Sequence, residues 1–185
     1  MQIAPLKTLV LNADMQPLSW GPLSVWSWQD ALVAVLQGRV VEIACYDDVS
    51  ARSPSSNFRI PSVVALKNFH RRRKSSFTRY HVFLRDMFKC QYCGEQFAAR
   101  DLTFDHVIPR SKGGAANWNN IVTCCERHNL QKANKSLKEC GLTLLRPPYE
   151  PTPYQLDVNA RKLPYGDNLH VTWMDYLYWD AELEA

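Results

Sequence analysis

Apolar positions fall in short runs broken by turn formers early in the chain, and take on helical spacing further along. Leu6–Leu11 is an apolar and β-branched run interrupted by Lys7 and closed by Asn12-Ala13-Asp14 and Pro17, which predicts a strand. Ser27 stands at an N-cap position before Trp28–Gln37, Asp30 falls in the first turn and Gly38 follows the end, predicting a helix. Val40–Ala44 reads as a strand and Phe58–Pro61 as an extended segment, with the polar loop Ser53-Pro54-Ser55-Ser56-Asn57 between them. Val63–Asn68 is compatible with a short helix or a strand. Tyr80, Phe83, Leu84, Met87 and Phe88 recur at helical spacing behind Thr78, predicting a helix that delivers the chain to Cys90. Two strands, Leu102–Pro109 and Ile121–Thr123, flank a turn-rich loop, Arg110-Ser111-Lys112-Gly113-Gly114. Arg127–Cys140 then reads as one helix, with Leu130, Ala133 and Leu137 on one side and Gly141 at its end. Thr172 is placed to cap a last helix in which Trp173, Tyr176 and Leu177 share a face.

With 185 residues, 46% apolar and 22% charged, the chain has an ordinary globular composition with room for one or two compact domains, which excludes disordered and coiled-coil classes. The pattern divides it into an α+β module over 1–77, a central domain over 78–141 and a Pro/Tyr-rich acidic tail over 142–185 ending in a short helix. No run approaches the ~20 apolar residues of a membrane span, and Met1–Lys7 lacks the build of a signal peptide. A cytoplasmic, intracellular protein with no membrane partner is expected. Trp20, Trp26 and Trp28 are read as packing residues.

The formal net charge of +4 hides a strong asymmetry: between residues 67 and 140 there are 15 basic and 6 acidic side chains, whereas 150–185 is acidic. Lys67 to Arg79 holds six basic residues and no acidic one, with Arg71, Arg72, Arg73 and Lys74 in a row and aromatic rings interleaved, a composition suited to phosphate contacts.

Six cysteines in a reducing compartment point to metal binding or to buried thiols rather than disulfides. Cys90-Gln91-Tyr92-Cys93-Gly94 has the spacing by which two thiolates chelate one zinc, and Cys125-Glu126-Arg127-His128 supplies the second half. Cys124 is a competing ligand for Cys125, and Cys45 and Cys140, without partners by spacing, are expected as buried thiols. Four protein ligands leave no open coordination position, so the zinc, one per chain, is structural.

Between the two halves of this clamp run Asp105-His106-Val107-Ile108-Pro109-Arg110-Ser111-Lys112-Gly113-Gly114 and Trp118-Asn119-Asn120-Ile121-Val122-Thr123; His128-Asn129 and Lys132 follow. This string, from about Arg85 to Asn134, resembles the HNH endonuclease motif of bacterial and phage proteins, whose fold is a zinc-stabilised ββα-metal finger. More weakly, Leu9–Leu18, Trp28–Val41 and Pro61–Leu66 resemble the N-terminal region of such proteins. The expected fold class is α+β, a zinc-stabilised ββα-metal finger with a small N-terminal α+β module and an irregular to helical tail.

The resemblance implies a divalent-metal-dependent endonuclease that hydrolyses DNA to 5′-phosphate and 3′-hydroxyl ends by a one-metal mechanism. His106 takes the place of the general base and Asn120 that of the middle asparagine, orienting the imidazole. Asp105 and Asn129 become ligands of a catalytic Mg2+ or Mn2+; many members carry histidine where this chain has Asn129, and cysteine where it has His128. Arg110, Lys112 and Lys132 are expected at flanking phosphates. An imidazole with pKa near ~6.5 suits the base role, and hard oxygen ligands suit the ion. The partner implied is double-stranded DNA, with one site per chain and double-strand breaks only from a homodimer. A non-catalytic zinc finger that binds nucleic acid, or an RNA-cleaving variant, is the alternative. The Asp105, His106, Asn120 and Asn129 set separates catalysis from binding, which needs none of them.

Overall fold

A computed structural model describes residues 6–71, 74–163 and 169–177, which form two compact units, one from residues 6–71 with 169–177 and one from 74–163. Among the described residues, no helix is long and apolar enough to cross a membrane.

The first unit is a four-stranded sheet in the order β2-β1-β4-β3, built from β1 (Lys7–Leu11), β2 (Val25–Ser27), β3 (Val40–Arg52) and β4 (Asn57–Leu66). β1 runs parallel to β4, and the remaining pairings are antiparallel. Every residue of β1 after Lys7 and every residue from Ile60 to Ala65 of β4 is buried, which is how strands covered on both faces read as unbroken apolar runs. The strand alternative for Val63–Asn68 is therefore realised as far as Leu66, inside a longer strand.

Helix α1 (Trp28–Leu36) is capped as expected, the Ser27 side chain accepting from the Asp30 backbone N–H. Its Ala31 and Ala34 pack on Val10, Val40 and Val64, small residues that let the helix approach the sheet closely. Trp20 is buried and Trp26 packs on the same core, in keeping with a packing role. The later helix α6 (Val171–Leu177) buries Trp173 and Leu177, and the Trp173 indole donates to the Ser62 carbonyl at 2.8 Å. Thr172 lies inside this helix rather than capping it, its hydroxyl 2.9 Å from His170 Nδ1.

The second unit contains α2 (Arg79–Arg85), the hairpin β5 (Leu102–His106) and β6 (Ile121–Cys125), α3 (Glu126–Lys132), α4 (Leu137–Cys140) and α5 (Pro153–Arg161). Thr78 caps α2 through the His81 N–H, but the helix stops at Arg85, and Met87 and Phe88 turn out at positive φ instead of continuing it to Phe88. β5 and β6 pair antiparallel from Leu102↔Cys125 to His106↔Ile121. The single helix expected over Arg127–Cys140 is two, because Ala133 leaves the helix at φ 47° and Ser136 caps α4 through a capping box with Glu139. Leu130 and Ala133 are exposed, so the expected apolar face is not what α3 buries; it buries His128 and Lys132, one turn apart.

The region read as a tail contributes α5 to this second unit, where the Asn159 amide donates to the carbonyls of Leu84 and Arg85. Arg85, fully buried, is the hub of the packing. Its guanidinium forms a fork on Asp86 at 2.8 and 2.9 Å and donates to the carbonyls of Trp118, Ile121 and Tyr149. Asp86 in turn accepts from the Thr123 N–H at 2.9 Å, so the buried pair has its polar atoms met by backbone of both β6 and the approach to α5.

Candidate active site and metal centre

The turn after α2 brings Cys90 and Cys93 to the base of the hairpin, where the Gln91 N–H donates to the Thr123 carbonyl. Gly94 takes φ +78°, a left-handed conformation that lets its N–H reach the Cys90 carbonyl at 2.8 Å and closes the knuckle. Cys125 at the end of β6 and His128 in the first turn of α3 complete the group. The ligand atoms of Cys90, Cys93, Cys125 and His128 all lie within 4.8 Å of one another.

His128 Nδ1 is 3.2 Å from Cys125 Sγ and 3.7 Å from Cys90 Sγ. Ligand bonds of ~2.3 Å for sulfur and ~2.0 Å for nitrogen place S and N about 3.5 Å apart across a tetrahedral zinc, so the donor set fits that ion. Burial opposes the Cys90 thiolate, but the N–H groups of Cys125, Cys93 and Tyr92 outweigh it and lower its pKa. The Cys93 thiol is pushed up to about 11, by burial first and then by the neighbouring sulfurs. Cys124 points elsewhere, onto the Thr103 hydroxyl at 3.2 Å, and burial drives its thiol to about 12. The hairpin alternation decides between the two adjacent cysteines. Cys45 is buried as expected, whereas Cys140 is only half-buried because α4 is short and lies at the surface.

Asp105 and His106 are the last two residues of β5, and successive strand side chains point to opposite faces. The Asp105 carboxylate is buried, paired with Lys132 Nζ at 3.0 Å and accepting the Tyr92 hydroxyl proton. Lys132 also donates to the His106 carbonyl and is wholly shielded from solvent. It therefore does not stand at a flanking phosphate, as expected from sequence, but inside the unit, where a lysine is stable only with such a partner.

His106 Nε2 is a buried nitrogen with no hydrogen-bond partner among the described residues. Burial, then the nearby Arg110 charge, lower the imidazole pKa below 6.5, against the pull of Asp105. That shift favours the neutral ring, the form able to accept a proton. Asn120, expected to orient it, is engaged otherwise: its Oδ1 accepts from the Ile108 N–H at 2.8 Å and its Nδ2 donates to the carbonyls of Ile108 and Ala115. Those bonds use both amide protons, so Asn120 clamps the loop that follows His106 rather than the imidazole. Gly114 makes the clamp possible, since a Cβ there would lie 1.7 Å from the Ile108 carbonyl oxygen.

Asn129 donates to the Thr103 hydroxyl at 3.1 Å, on the strand face that Asp105 shares. Arg110 and Lys112 sit in an exposed tight turn before Gly113, with Lys112 tied to Glu139, whose carboxyl it and Ser136 hold at about 2. Arg71 and Lys74 are exposed, and Arg72 and Arg73 lie outside the described residues. Tyr92 was not singled out by sequence reasoning as a site residue. Its position between the two knuckle cysteines was the available signal.

Two family models match the chain: the HNH endonuclease-associated N-terminal domain over residues 8–74, and the HNH endonuclease over residues 90–144. No curated protein matches it.

Proposed function

We propose that this chain, which belongs to the HNH endonuclease family and is a nuclease, hydrolyses DNA phosphodiester bonds with His106 as general base. The observation that carries the reading is the unpartnered, neutral Nε2 of His106 beside a fixed carboxylate in a metal-braced hairpin. A buried nitrogen left without a partner costs stability, which is the mark of an atom reserved for a ligand.

In the proposed reaction Nε2 takes a proton from water as its oxygen attacks phosphorus. The bond to the 3′ oxygen breaks, leaving a 5′-phosphate and a 3′-hydroxyl that gains its proton from solvent. Asp105 and Asn129 offer hard oxygens to Mg2+ or Mn2+, and Lys132 and Tyr92 face three of the four lone-pair positions of the Asp105 carboxylate, which leaves one on Oδ1 for a cation. Bound there, a divalent ion supplies charge for the phosphoryl oxygens and the leaving oxygen. Zinc in the cysteine and histidine group is the structural ion. Arg71, Arg72, Arg73, Lys74, Arg110 and Lys112 are the groups proposed to neutralise duplex phosphates. One site per chain nicks one strand, and paired chains cut both.

Supercoiled plasmid incubated with Mg2+ or Mn2+ should be nicked by wild type and left intact by His106→Ala. Equal cleavage by the two would remove His106 from the chemistry. Tight binding with no cleavage by either would leave a zinc finger that only binds.

A further inference from the structure

Two groups hold the Asp105 carboxylate, and each is anchored next to a ligand of the metal knuckle. Tyr92 stands between Cys90 and Cys93, its ring 5.9 Å from the His128 ring, and its hydroxyl donates to Asp105 Oδ2. Lys132 follows His128 by one helical turn on the same face of α3, and its ammonium meets Oδ1, Oδ2 and the His106 carbonyl. The carboxylate is therefore bound from both sides by side chains whose places the knuckle sets.

We infer that Tyr92 is a positioning residue for the reaction: its hydroxyl fixes the rotamer of the Asp105 carboxylate, so that the knuckle sets catalytic geometry as well as fold. The inference rests on the nuclease reading above for the use made of Asp105, but the bond itself is independent of it. A carboxylate held by the Lys132 ammonium without the Tyr92 hydroxyl is less restrained about its torsion, and a ligand oxygen displaced by rotation meets a hard cation less well. The hydroxyl links the chelating turn, Cys90 to Cys93, directly to the Asp-His dipeptide.

Tyr92→Phe tests this with the ring packing against His128 retained. The zinc-loaded full chain is compared with wild type in four measurements: zinc content, thermal midpoint, Mn2+ affinity by electron paramagnetic resonance without DNA, and plasmid-nicking kcat and KM. Zinc content and midpoint near wild type, Mn2+ binding several-fold weaker, kcat lower by about tenfold and KM for DNA unchanged are expected. Unchanged Mn2+ affinity and kcat would overturn the inference. So would loss of zinc in step with activity, which would make Tyr92 a packing residue of the knuckle alone. If wild type itself nicks nothing, the nuclease reading fails, while the Mn2+ comparison still decides whether the hydroxyl positions Asp105.

Discussion

The surroundings of His106, the proposed base, disfavour its protonation. Its pKa is lowered by burial first and by Arg110 second, so the midpoint of the protonation that removes the base lies below 6.5. Cleavage at saturating metal should therefore rise with pH through a midpoint under 6.5 and level off above it. Arg110→Ala removes a repelling charge from the imidazolium and should move that midpoint upward, a shift that kcat/KM profiles of the two proteins would reveal. Lys132 shows where residue-level reading from sequence fails. A lysine in a basic stretch reads as a phosphate contact, because nothing in its neighbours announces the Asp105 partner 27 positions earlier. The same holds for Tyr92, whose hydroxyl partner lies 13 residues on, across the hairpin.

At the scale of elements, local signals located starts and turns well and ends poorly. Ser27 and Thr78 cap their helices, and the hairpin lies where two apolar runs flank a glycine-containing loop. The helix read through residue 140 breaks after Lys132, because Ala133 adopts a non-helical backbone and Ser136 offers a better cap than a helix interior. Helix α5 carried its own signals, Thr152 and Gln155 as a capping box and Pro153 in the first turn, that the Pro/Tyr-rich composition obscured. The loop after β5 depends on Asn120 and Gly114. Asn120→Ala strips three hydrogen bonds from it and should cost about 2 kcal/mol by urea denaturation. Gly114→Ala cannot fit without moving the Ile108 carbonyl and should lower kcat more than DNA affinity.

At the scale of the molecule, the second unit hangs on two devices, the metal group and the Arg85 hub. Chelation of about one equivalent of zinc should unfold residues 74–163, seen as loss of near-ultraviolet circular dichroism. Cys125→Ala should abolish zinc binding, while Cys124→Ala, whose thiol faces Thr103, should retain it. Arg85→Ala leaves Asp86 buried and unpaired and should cost about 3–5 kcal/mol in urea, as much as many cores can lose.

By itself the sequence determined the parts whose physics is local or whose spacing is chemical: helix caps, the hairpin, the cysteine and histidine pairs that fit one tetrahedral ion, and the Asp-His dipeptide of the family. Only the tertiary structure decided which atoms those residues spend on each other. Cys125 rather than Cys124 joins the group of candidate metal ligands because strand alternation turns neighbours apart. Asn120 holds a loop rather than the imidazole, and Lys132 and Tyr92 enclose Asp105. Such pairings join positions far apart in the chain, and burial, which makes an unmet charge or hydrogen bond costly, is what selects them.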